Sequence, residues 1–312
     1  MGYKTAFLFP GQGSQYAGMG KSLCENFPAA RAVFEQADQI LGFPISTLCF
    51  EGPEEALKLT ENTQPAILTV SSAACAVLKE QGIVPAYVAG HSLGEYSALV
   101  AAGALSLCDA LPLVKKRGRY MQEAVPPGVG AMAAILKMPN GKLAHVLREA
   151  SLDGEVVTAA NLNSPDQVVI AGHAAAVARA IEKSKAAGAK RGLLLPVSAP
   201  FHCPLMKPAQ ECLAVDLNAT PFRDLDFPLF NNCQAREIRT GAEARQGLYE
   251  QVPNPVLWVD IIRNLAGRGV ERFIEVGPGG VLTGLWTFLD PALKGLKFGE
   301  AADLEKIHAI NQ

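Results

Sequence analysis

Ala86-Tyr87-Val88-Ala89-Gly90-His91-Ser92-Leu93-Gly94-Glu95-Tyr96-Ser97-Ala98-Leu99-Val100-Ala101 is the stretch whose reading decides the fold. Its apolar beginning predicts a buried strand and its end a helix, with almost no turn between them. Glycines two residues before and two after Ser92 remove side chains where a strained strand-to-helix turn leaves no room. Such an elbow lifts a serine hydroxyl clear of the sheet and aims backbone N–H groups at whatever it attacks. The plainer alternative is that Ser92 merely caps the following helix.

A chain of 312 residues, 49% hydrophobic and 19% charged, has ample material for a large core in one domain or two. No apolar run approaches the ~18 residues of a membrane span. The apolar segment Ala6–Phe9 is too short for a signal peptide. Seven cysteines, scattered without a Cys-x-x-Cys spacing, read as reduced thiols of a cytoplasmic protein. They form neither a disulfide framework nor a metal site. A net charge of −2 favours neither nucleic acid nor an anionic membrane as partner.

Outward from the elbow, Lys4–Phe9 predicts a buried parallel strand ended by Pro10, followed by the loop Gly11-Gln12-Gly13-Ser14-Gln15. A dinucleotide fingerprint needs glycine where Tyr16 stands, and a P-loop needs it where Gln15 stands. What remains is a glycine-containing loop at the carboxyl end of a strand, where open α/β sheets build their sites. Helical periodicity covers Ala29–Leu41 and, from Thr63-Gln64-Pro65 with proline suited to a first turn, continues through Leu78. In the next predicted helix, Asp109–Ala124, Leu111, Val114, Gly118, Met121 and Val125 share one face, and Lys115, Lys116 and Arg119 the other. Arg117 lands at the edge of the apolar sector. An inward-leaning arginine needs a carboxylate partner, supplied either by the protein itself or by a substrate.

From Gly128-Val129-Gly130 the pattern changes to strand Met132–Leu136, helix Gly141–Ala150, and strands Glu155–Ala159 and Gln167–Ala171 joined by 161–166. Helix His173–Ala187 and strand Leu193–Val197 complete a β-α-β-β-α-β order, that of a ferredoxin-like module. We therefore expect a small domain over 128–197 inserted into an α/β main domain made of 1–127 and 198–312. The main domain resumes at Ser198-Ala199-Pro200-Phe201-His202. It then holds a strand around 227–232, the stretch beginning at Gln251, helix Trp258–Gly267 and a final strand Arg272–Val276.

A serine nucleophile needs a base at neutral pH. His91 adjoins Ser92 and points to the other face. His145 and His173, on small-domain helices, and His308, in a charged tail, read as surface residues. His202 stands in a proline-flanked loop at the domain junction and is the base by elimination, the plainer alternative being a histidine that satisfies a backbone carbonyl. Glu275, at a strand end, is the best acid to orient it, although a carbonyl or amide serves as well.

Seven stretches in this order resemble the malonyl-CoA:acyl carrier protein transacylase family over nearly the whole chain. They are Phe9–Gln15, Thr63–Ala66, Gly90–Ala98, Arg117–Met121, Asn161–Pro165, Ser198–His202 and Glu275–Gly279. The resemblance implies an α/β-hydrolase-like main domain with a ferredoxin-like insert. It implies Ser92 as acylated nucleophile, His202 as base, and the backbone N–H groups of Gln12 and Leu93 as oxyanion hole. It further implies Arg117 as the partner of the malonyl carboxylate and Gln251 in the shell that orients His202, a Ser-His pair without a full triad. Phe201 looks like the malonyl-selective version of its loop. No cofactor or metal is expected. The expected partners are malonyl-CoA and, transiently, an acyl carrier protein, acting with a monomeric cytoplasmic enzyme. An acyltransferase of a polyketide pathway, an acyl-thioester hydrolase and a silent carrier-binding module are the rival readings.

Overall fold

Two sheets organise the protein in a computed structural model, which describes residues 3–152, 154–197, 199–286 and 294–311. Ten strands are present among these: β1 Thr5–Phe9, β2 Tyr87–Gly90, β3 Gly130–Leu136, β4 Val157–Ser164, β5 Gln167–His173, β6 Arg191–Leu194, β7 Leu229–Phe230, β8 Glu237–Ile238, β9 Arg272–Val276 and β10 Lys294–Phe298. The larger sheet runs β10-β9-β1-β2-β7-β8 and is parallel apart from β8, which turns back on β7. Successive side chains of β1 enter opposite cores, as the strand period requires. Phe7 and Phe9 join the helical layer on one face, and Ala6 and Leu8 pack with Trp258, Ile262 and Trp286 on the other.

Register places the site. Phe9 pairs with Gly90, so the loop after β1 and the elbow after β2 emerge side by side. The elbow's glycines are required by contact: a Cβ on Gly94 would lie 2.0 Å from the Phe9 carbonyl oxygen, and one on Gly90 1.9 Å from that of Gly94. Helix Gly94–Ala101 can then start directly over the sheet.

The smaller sheet is antiparallel in the order β4-β5-β3-β6, the ferredoxin-like arrangement expected from the sequence. Ala133, Ile135 and Ile170 pack under its own two helices, Leu143–Ala150 and Ala174–Ala186. Met132, Ala134, Val169 and Ala171 face the main core.

Several boundaries differ from expectation. The helix expected from Thr63 begins at Thr60 and runs to Glu80, so Pro65 lies inside it. The Leu59 carbonyl takes the N–H groups of Asn62 and Thr63, extending the helix upstream of the proline. The segment 161–166 is mostly strand: β4 continues to Ser164 through two register shifts. Val256 N donates to Ala160 O and Leu162 N to Val256 O, so the main domain completes the irregular strand. Arg272–Val276 is not the last strand. The edge strand β10 follows it, and helix Asp303–Asn311 stands where a tail was expected. Helices Lys207–Ala219 and Gly241–Gln251 add to the expected elements, their apolar stripes being weak in the sequence.

Candidate active site

At the elbow Ser92 holds φ 52°, a left-handed conformation that non-glycine residues adopt only when their surroundings enforce it. The surroundings here are hydrogen bonds. Ser92 N donates to Asn232 Oδ1 at 2.7 Å, and Asn232 Nδ2 donates to Gly90 O at 2.6 Å, so one side chain staples both sides of the turn.

His202 faces this serine. Ser92 Oγ and His202 Nε2 are 2.7 Å apart, and His202 Nδ1 lies 3.0 Å from the Gln251 carbonyl oxygen. Gln251 is the last residue of helix Gly241–Gln251, where main-chain carbonyls lack intrahelical donors. Nδ1–H donates to that carbonyl, which leaves the Nε2 lone pair to accept from the serine O–H. A helix terminus thus does the orienting for which an acid was sought. Burial, aided by the nearby Arg117 charge, lowers the imidazole pKa to about 3, so His202 is neutral at physiological pH. Glu275 is elsewhere: its carboxylate accepts from the N–H groups of Leu282 and Thr283 and from the Thr283 hydroxyl, bracing the segment after β9.

Arg117 is 1% exposed, on helix Leu107–Glu123, and that helix reaches the site because Gly118 lets it press against the start of helix Thr60–Glu80. A Cβ on Gly118 would lie 2.5 Å from the Thr60 carbonyl oxygen. Arg117 Nη1 donates to Gln64 Oε1 at 2.8 Å, and Nη2 to Gln251 Oε1 at 2.8 Å and Ser92 Oγ at 3.2 Å. Its guanidinium lies 5.3 Å from the Tyr96 ring centre. Among the described residues no carboxylate forms an ion pair with it. The partners are neutral amides and a hydroxyl, so the charge is held in place and left without a direct counter-ion.

The two expected oxyanion donors also have no competitor. Among the described residues neither Gln12 N–H nor Leu93 N–H donates to any acceptor, and both residues line the same pocket as Ser92, Arg117 and His202. Met132, Asn161, Leu195 and Val197 form the small-sheet wall of that pocket, and Phe201 also lines it. Ser198 lies outside the described residues.

Sequence reasoning missed Gln64, Glu95, Asn161 and Asn232 as parts of the site. Asn232 follows β7, the strand next to β2, and a polar residue at that strand end is the signal that points to it. Glu95 is fully buried in the elbow helix. Its Oε2 accepts from Gln251 Nε2 at 2.8 Å and from Asn232 N at 3.1 Å, and burial raises its pKa to about 7.

Among the described residues none of the remaining histidines bonds the Ser92 hydroxyl. His91 meets Asn163 Oδ1 through Nε2 at 2.8 Å and packs edge-on to Trp258, while also lining the pocket. His145 and His308 are exposed as expected. His173 is half-buried rather than superficial, its Nδ1 accepting from Val156 N.

The chain as a whole is similar to known proteins. A family model described as an acyl transferase domain matches residues 6–287. The malonyl CoA-acyl carrier protein transacylase of Bacillus subtilis is 49% identical over 302 residues, 97% of this chain and 95% of that protein. The solved acyl carrier protein S-malonyltransferase of Vibrio cholerae superposes with a TM-score of 0.95 at 43% identity, covering 97% of this chain and 99% of that one. A malonyl-transacylase solved in complex with its type II PKS acyl-carrier protein gives a TM-score of 0.94 at 43% identity, covering 97% and 98%.

Proposed function

The chain belongs to the acyl transferase domain family, and from that premise we propose that it moves a malonyl group from malonyl-CoA to the phosphopantetheine thiol of an acyl carrier protein. It is an acyltransferase that supplies malonyl-carrier protein for fatty acid synthesis. The observation that carries the substrate assignment is the buried Arg117 guanidinium, which has no ion-pair partner among the described residues and touches the Ser92 hydroxyl.

Ser92 attacks the malonyl thioester carbonyl while His202 Nε2 takes its proton. The Gln12 and Leu93 N–H groups receive the oxyanion of the tetrahedral intermediate. Collapse expels coenzyme A, whose sulfur takes the proton from His202 and leaves a malonyl-serine ester. The carrier thiol then repeats the sequence in reverse: its proton passes to His202, its sulfur attacks the ester, and Ser92 regains its hydroxyl proton. Gln251 serves twice, its carbonyl fixing the imidazole and its side-chain oxygen fixing the guanidinium. The chemistry uses neither metal nor cofactor. We assign the small domain to 128–197 and the main domain to 1–127 and 198–312, with the pocket between them. We also assign the enzyme to the cytoplasm as a monomer that meets its carrier transiently. Among the described residues no helix is long and apolar enough to cross a membrane.

The test is transfer itself. Malonyl-CoA and enzyme are mixed with carrier protein bearing its phosphopantetheine arm and, separately, with carrier lacking it, and carrier mass is read. Malonyl gain by the armed carrier alone is expected; enzyme-dependent release of free malonate with no carrier gain would indicate a hydrolase instead.

A further inference from the structure

Behind the catalytic pair lies a second buried charge that the acyl-transfer steps leave unused. Glu95 and Arg117 are separated by one carboxamide: Glu95 Oε2 accepts from Gln251 Nε2 at 2.8 Å, and Gln251 Oε1 accepts from Arg117 Nη2 at 2.8 Å. Glu95 is 0% exposed, Gln251 0% and Arg117 1%. In the free enzyme above neutral pH, where Glu95 is ionised, this cluster holds one cation and one anion. A malonyl group on Ser92 brings a second anion to the same guanidinium, and a buried site with an uncompensated charge is costly.

Resting on the functional reading above, we propose that malonyl loading is coupled to protonation of Glu95. The incoming carboxylate replaces Glu95 as the counter-charge of Arg117, and Glu95 takes one proton from solvent to become a neutral acid. The geometry has room for that proton. Among the described residues both hydrogen bonds to Glu95 fall on Oε2, from Gln251 and from Asn232, while Oε1 has no partner. A proton on Oε1 therefore displaces neither donor. When the malonyl group leaves on the carrier, Arg117 is again unmatched and Glu95 releases the proton.

The other ionisable groups of the cluster do not compete for this role. Tyr96, on the same helix as Glu95, is held above its ordinary range by burial. Cys233, in the turn after β7, is pushed up to about 12 by burial, and Glu250 lies behind it, bonded to Gln234 and Gln246. His202 is held low by burial and Arg117. The Arg117 guanidinium keeps its proton in any protein environment. Glu95 alone is poised near neutrality: burial raises it to about 7 against a lowering pull from Gln251, Asn232 and Arg117. A malonyl carboxylate on Arg117 cancels the last of these.

The experiment mixes enzyme with malonyl-CoA at about pH 8 in weak buffer containing an indicator dye, and divides protons taken up by acyl-enzyme counted from intact mass. Acetyl-CoA is one blank, because it releases the same thiol and loads the same serine without a carboxylate. Glu95→Gln loaded with malonyl is the second, because it keeps an acceptor toward Gln251 but has no acid to protonate. The expected result is about one proton per malonyl adduct in the wild type, and close to none in either blank. Equal uptake from malonyl and acetyl loading overturns the proposal, as does wild-type uptake in Glu95→Gln. Should that variant fail to fold, the infrared band of a protonated carboxylic acid, present in malonyl-enzyme and absent from acetyl-enzyme, decides the matter. A wild type that forms no malonyl adduct contradicts the functional reading instead.

Discussion

Arg117 is the residue on which the proposed malonyl selectivity turns. Its guanidinium is desolvated, braced by Gln64 and Gln251, and in contact with the serine oxygen. Losing one partner of a desolvated ion pair costs roughly 2–5 kcal/mol, so Arg117→Ala is expected to lower malonyl kcat/KM by a factor of tens to thousands. Acetyl-CoA should become a comparable or better substrate, because the desolvated guanidinium that a neutral acyl chain leaves with no carboxylate in contact is gone. Arg117→Lys should recover only part of the malonyl activity, since an ammonium lacks the planar fork. The malonyl-to-acetyl ratio of kcat/KM across the three proteins checks this, and a constant ratio would make Arg117 structural. His202 gives the pH prediction. Its pKa is depressed from 6.5 to about 3, so below about 6.5 the unfolded chain binds a proton that the folded one refuses. Wild type should therefore lose stability relative to His202→Gln by up to ~1.4 kcal/mol per pH unit as pH falls from about 6.5. Urea unfolding of both proteins at several pH values measures it. The residues of this scale were legible unevenly. Ser92 stands between the glycines of an elbow, His202 in a proline-flanked loop and Arg117 at the edge of a helical apolar sector, so each is visible locally. Glu95 is held by Asn232 and Gln251, 137 and 156 positions away, and Asn232 staples Ser92 and Gly90 from 140 and 142 positions away, relations no local pattern records.

Elements place these residues by close approach. Helix Leu107–Glu123 reaches the site because Gly118 allows backbone contact with Thr60. Gly118→Ala must push the helices apart, at a cost of ~1–3 kcal/mol for overpacking. It should also draw Arg117 away from Gln64, so malonyl kcat/KM should fall while acetyl kcat/KM holds. Thermal unfolding and the two activities together test this, and an unchanged malonyl rate with lowered stability would uncouple helix position from the clamp. Strong periodicity made this helix, helix Trp258–Gly267 and strand β9 readable almost to the residue. Strand β4 misled because Asn161-Leu162-Asn163-Ser164 has loop composition, and its strand conformation depends on hydrogen bonds to Val256. Glu275 misled for a related reason: an acid at a strand end next to a glycine-rich segment serves as a backbone cap as readily as a catalytic group.

For the whole molecule, the pocket lies where the small sheet meets the main one, and its two walls are joined by the His91–Asn163 bond and the Val256 bridge. Asn163→Ala removes one of these ties and should cost ~0.5–1.5 kcal/mol. Amide exchange in β4 should rise while acylation of Ser92 changes by no more than a few-fold, because no catalytic group is touched. Severe loss of acylation would mean that Asn163 takes part in the chemistry. At this scale the order of elements revealed a parallel sheet and an inserted split βαβ module. The mutual placement of the two came from register and from long-range hydrogen bonds. The central claim is that Ser92 carries the malonyl group, and the most direct measurement is the intact mass of wild type and Ser92→Ala after brief mixing with malonyl-CoA alone. The wild type should gain one malonyl group, lost again when armed carrier protein is added, and Ser92→Ala should gain none. A malonyl adduct of equal yield on Ser92→Ala would contradict the account.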